Sequence, residues 1–80
     1  MPLLWLHAAS AGELAGAIPV IRLLRQENPN LQLAITVSSP SGLPLARSLD
    51  PDFSGYAPLD TPAESAAMIE SLSPDALVFA

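Results

Sequence analysis

The sequence predicts an α/β fold, a Rossmann-like parallel sheet of alternating β-α units that is incomplete as a domain. Three observations carry this. Short apolar runs alternate with segments of helical spacing along all 80 residues. The first run is continuously apolar, as a strand covered on both faces of a parallel sheet is. The last run stops at Ala80 with no helix after it, although a parallel strand needs cover on both faces. The chain therefore reads as part of a larger domain, and such alternation implies right-handed crossovers with helices on both faces.

Each element has its own grounds. Leu3 to Ala8, with Trp5 inside it, is the first strand. Ser10 suits a helix N-cap, and Glu13 three residues later completes a capping-box pattern. Leu14, Ala17, Ile18, Ile21, Leu24 and Arg25 then follow helical spacing. Pro19 falls inside that helix and should bend it or leave one carbonyl unpaired. "ENPN" ends it, because a residue before proline avoids the α region. Leu31 to Val37 is the second strand, with β-branched residues near its end. "SSPSG" is a loop, Leu43 to Leu49 a second helix, "DPDFSG" a turn, and Phe53 to Ala57 a short third strand. A third helix spans Pro62 to Leu72, with Thr61 as N-cap and Pro62 at its first position. "SPDALVFA" turns into the fourth strand.

Composition narrows the function. Three arginines, no lysine and eight acids give a net charge of −5. Phosphate binding needs clustered cations, so nucleic acid is excluded as an expected partner, and so is a purely electrostatic membrane patch. With no cysteine and one histidine, neither a disulfide nor a protein-only zinc site is expected. The opening "PLLWLHAA" lacks a basic leader region and is too short to span a membrane. "ASAGELAG" falls short of G-x-G-x-x-G, and no G-x-S-x-G elbow is present. No metal or organic cofactor is expected.

In open α/β sheets, ligands bind beyond the carboxyl ends of the strands. Those ends carry "HAASAGE", "SSPSG" and "PLDTP". Their small residues, Ser10, Gly12, Ser38, Ser39, Ser41 and Gly42, are the candidate substrate-binding positions. The amides at Gly12 and Gly42 could approach a ligand closely, and a helix start favours an anion. Glu13 has two readings. It can cap the helix and favour its dipole. It can also act as general base toward a sugar hydroxyl. His7, at the end of the first strand, is either bonded within the sheet edge or used in binding. Asp60 reads as a turn acid, Arg22 and Arg25 as a solvated helix face, and Arg47 as a cation that could touch an anionic ligand.

With those residues in view, the chain resembles a known family. Trp5, His7, Ser10, Gly12 and Glu13 match a W-x-H-x-x-S-x-G-E stretch. "TVSSPSG" matches a T-x-T-x-[ST]-G-like loop, and Tyr56, Pro58 and Asp60 match Y-x-P-x-D. "PDALVFA" is similar to the strand that precedes an E-x-E-x-W-P region. Together these resemble the start of the 3-deoxy-D-manno-octulosonic acid (Kdo) transferases of lipopolysaccharide synthesis. The resemblance implies a two-domain GT-B glycosyltransferase of family 30. Residues 1–80 would be most of its N-terminal, acceptor-side domain, and the donor-binding domain would lie outside this chain. It implies inverting transfer of Kdo from CMP-Kdo to a lipid A precursor at the cytoplasmic face of the inner membrane. Glu13 would be the general base. The 80 residues alone would be soluble and inactive, because donor and base must be held together across the cleft. The alternative is a non-catalytic Rossmann-like domain that binds a nucleotide or sugar phosphate. A self-pairing sheet edge is a third reading.

Overall fold

The computed structural model describes residues 2–58, 61–72 and 74–79. Four parallel strands, β1 (Leu3–Ala8), β2 (Gln32–Val37), β3 (Phe53–Tyr56) and β4 (Ala76–Phe79), form one sheet in the order β3-β2-β1-β4. Helices α1 (Ala11–Glu27), α2 (Leu43–Ser48) and α3 (Pro62–Leu72) join them. The first two crossovers step one way across the sheet and the third steps back. Right-handed connections therefore carry α3 over the face opposite α1 and α2.

The core follows from β1 and β2 running in register. Leu4, Leu6 and Ala8 lie beside Leu33, Ile35 and Val37 and point to one face. There they pack with Leu14 and Ile21 of α1 and Ala46 of α2 in one buried cluster. The intervening residues Trp5, His7, Ala34 and Thr36 point to the other face and are buried as well. This is the doubly covered strand pair that the apolar runs imply. On α3 the half-buried positions Ser65, Met68 and Leu72 fall on one helical stripe.

Helix boundaries have local causes. Ser10 is extended, with φ −149° and ψ 169°, and its Oγ accepts from the Glu13 amide at 3.4 Å. At the other end the Asn28 backbone N–H and Nδ2 both donate to Leu24 O, at 2.9 and 3.1 Å, and Pro29 prevents a further turn. Pro19 lies within the unbroken helix on its exposed side. It has no N–H to donate to the Ala15 carbonyl.

Two features differ from the sequence reading. Residues Pro40–Gly42 form a 3-10 turn that runs into α2, where a loop is expected. Proline at its first position needs no N–H there, which favours the turn. Arg25 is not solvated: it donates to Leu49 O, and to Asp50 O at 2.8 Å, holding the end of α2. Asp50 takes φ 54°, a left-handed conformation that aspartate tolerates better than most residues.

Both edge strands enter the sheet by one device. Asp52 Oδ2 accepts from the Leu33 amide at 2.7 Å, and Asp52 N donates to Leu33 O at 2.8 Å. Asp75 Oδ2 accepts from the Leu3 amide at 2.7 Å, and Asp75 N donates to Leu3 O at 2.8 Å. In each case a proline precedes the aspartate. Among the described residues no helix is long and apolar enough to cross a membrane.

Candidate functional site

The carboxyl ends of β1 and β2 lie side by side, so the loops after them share one edge of the sheet. Gly42 brings them together. A side-chain carbon there would lie 3.0 Å from Val37 Cγ1 and 3.5 Å from the Ala11 nitrogen at the start of α1. Gly42 is buried, and its N–H donates to Ser39 O at 3.0 Å. Its amide is therefore engaged inside the turn, and its lack of a side chain lets the second loop close on the first helix. Gly12 differs: it is exposed, and a side-chain carbon would meet only Ser10 Oγ, at 3.9 Å.

Glu13 reaches back over the helix start. Its Oε2 accepts from the Ala9 amide at 3.2 Å while its own amide donates to Ser10 Oγ. This is the reciprocal cap that the S-x-x-E spacing predicts, with the carboxylate bonded one residue earlier than usual. The carboxylate is also exposed, and its Oε1 has no hydrogen-bond partner among the described residues. It lines one end of a groove of about 240 Å³ bounded by Leu4, Leu6, Ala17, Ile21 and Leu24. The cap and a cleft-facing carboxylate are thus compatible in one side chain.

The serines divide. Ser39 and Ser41 share a hydrogen bond of 2.8 Å on the outer side of the 3-10 turn. Ser38 is half-buried and faces inward, with Oγ 2.8 Å from His7 Nε2. His7 Nδ1 is 2.7 Å from Thr36 Oγ1, which accepts from Trp5 Nε1 at 2.8 Å. Trp5 and His7 alternate onto one face of β1, and register places Thr36 beside His7. This chain of four side chains is the part of the site that sequence reasoning missed. Its only local signals are the spacings W-x-H and T-x-S on two strands about thirty residues apart. His7 is 6% exposed, and loss of hydration on burial lowers its pKa from the ordinary 6.5. The imidazole is therefore neutral near pH 7.

Other candidates lie elsewhere. Arg47 is exposed in the last turn of α2, where that helix leaves the carboxyl edge. Asp60 lies outside the described residues. Among the described residues no group of three or more histidine, cysteine or acidic side chains could hold a metal ion.

Comparison with known proteins matches the chain to one family. The sequence profile described as 3-Deoxy-D-manno-octulosonic-acid transferase (kdotransferase) matches residues 1–80. The chain is 34% identical over 73 residues to the 3-deoxy-D-manno-octulosonic acid transferase of Haemophilus influenzae, covering 89% of this chain and 17% of that protein. It is 31% identical over 81 aligned positions to the transferase of the same name from Chlamydia trachomatis, and 32% identical to that from Chlamydia muridarum. Each of those alignments covers 98% of this chain and 19% of the relative. The chain thus spans under one-fifth of the length of the curated relatives it matches. No solved structure matches it significantly.

Proposed function

Because the chain belongs to the Kdo transferase family, we propose that it is the acceptor-side N-terminal domain of an inverting two-domain glycosyltransferase with Glu13 as its general base. In this reading a second domain, outside these 80 residues, holds CMP-Kdo. The acceptor is a lipid A precursor presented at the cytoplasmic face of the inner membrane. An acceptor hydroxyl oxygen attacks the anomeric carbon of Kdo from the side opposite the leaving group. The new glycosidic C–O bond forms as the bond to the CMP phosphate breaks, and the hydroxyl proton passes to Glu13.

One observation carries the assignment. Glu13 fixes one carboxylate oxygen on the Ala9 amide and leaves the other open at the ligand edge. A base needs a held orientation and a free lone pair. Ser10 supports it by holding the helix start, Gly12 leaves room in front of it, and Ser39 and Ser41 offer hydroxyls at the same edge. Gly42 contributes by drawing the second loop in rather than by donating its amide.

The test is Glu13→Ala in the intact two-domain protein, assayed with CMP-Kdo and a lipid A precursor. Removing a general base is expected to lower kcat by about 10²–10⁴-fold. Activity within about tenfold of the parent, well short of that loss, would overturn the assignment. Binding of CMP-Kdo to the 80-residue chain by itself would favour a nucleotide-binding domain instead.

A further inference from the structure

Among the described residues the buried polar side chains are His7 and Thr36, and base chemistry at Glu13 uses neither. Their hydrogen atoms can be assigned by donor and acceptor rules. Indole Nε1–H only donates, so Thr36 Oγ1 accepts from Trp5. The Thr36 hydroxyl must still place its own hydrogen. Its one other side-chain contact among the described residues is His7 Nδ1, at 2.7 Å. A buried donor left without an acceptor is costly, so Thr36 donates to Nδ1. That fixes the hydrogen of the neutral imidazole on Nε2, which donates to Ser38 Oγ. The Ser38 hydroxyl hydrogen is then directed away from the imidazole, and it has no other partner among the described residues.

We infer that His7 is a positioning residue: held as the Nε2–H tautomer by Thr36 and Trp5, it turns the Ser38 hydroxyl into a hydrogen-bond donor aimed into the cleft at a neutral oxygen of the acceptor sugar. The identity of that ligand rests on the transferase reading above; the wiring of the four side chains does not. A neutral oxygen suits the site because no arginine lies in the loops after β1 and β2. Arg25 is committed to the end of α2, and Arg22 and Arg47 sit on helices beyond those loops.

Two measurements test this. Long-range ¹H–¹⁵N correlation on the labelled chain reads the tautomer of His7 directly, and Nε2–H is expected. An Nδ1–H tautomer would overturn the wiring. In the intact transferase, Ser38→Ala and His7→Asn are each expected to raise KM for the acceptor about three- to tenfold, with kcat within about twofold of the parent. His7→Gln places an amide donor near the Nε2 position and should restore the parental KM. The double variant His7→Asn, Ser38→Ala should be no worse than Ser38→Ala alone. A parental KM in Ser38→Ala, or no rescue by His7→Gln, would overturn the positioning role. A parent that transfers no Kdo would instead sink the transferase reading, and the tautomer would then judge the wiring alone.

Discussion

Glutamine at position 13 separates the two roles of Glu13. It keeps an oxygen to accept from the Ala9 amide but cannot take a proton. Glu13→Gln should therefore cost at most about 1 kcal/mol of stability, from the lost charge at the helix start. Activity of the intact enzyme should fall far more than that, by about 10²–10⁴-fold. Chemical denaturation and initial rates on the same preparations check the pair. His7 makes a pH prediction. Its pKa is lowered by burial, so the unfolded chain holds more protons than the native one between the two values. The contribution of His7 is fully present above its ordinary pKa of 6.5 and is lost as pH falls through the lowered native value. Urea midpoints of the parent should drop between about pH 7.5 and about pH 5.5, and those of His7→Gln should drop less. The cap at Ser10 and Glu13 was legible because both partners lie within one helical turn. The bonds from His7 to Thr36 and Ser38 were not, because strand register has to join residues 29 and 31 positions apart.

Elements follow the same division between local and distant causes. The start of α3 was readable from Thr61 and Pro62, and Thr61 Oγ1 does accept from the Glu64 amide at 3.2 Å. The 3-10 turn was hidden because "SSPSG" carries loop residues, and its packing against Val37 and Ala11 comes from distant parts of the chain. That packing makes Gly42→Ala a sharp test. Alanine would gain about 0.4–1 kcal/mol from a stiffer unfolded chain. It would also press a methyl to 3.0 Å from the β-branched Val37, and overpacking of that kind costs about 1–3 kcal/mol. A net loss of about 1 kcal/mol is expected by denaturant titration. In α1 the direction reverses. Pro19→Ala restores an N–H for the Ala15 carbonyl in an exposed part of the helix, and should stabilise by up to about 3 kcal/mol. The expectation that Arg25 faces solvent failed because the carbonyls it binds belong to residues 24 and 25 positions further on.

For the whole molecule, alternating β-α units imply a parallel sheet, but they do not say that β4 lies next to β1. The Pro-Asp pairs before β3 and β4 are the trace of that arrangement in the sequence, since each aspartate clamps an edge strand to an inner one. Asp75→Ala should cost about 1 kcal/mol, and amide exchange at Leu3 should speed up far more than exchange at the β1–β2 core. Equal acceleration across β1 would argue against the clamp. The interior adds one more consequence. Trp5 is the sole tryptophan, fully buried, with its ring edge-on to His7 at a centroid distance of 6.4 Å. Indole emission is quenched by a neighbouring imidazolium far more than by a neutral imidazole. The wavelength of that emission therefore reports whether the sheet is formed, and its intensity reports the charge on His7. The protein thus carries an optical probe at one end of its own hydrogen-bonded chain, readable without a label.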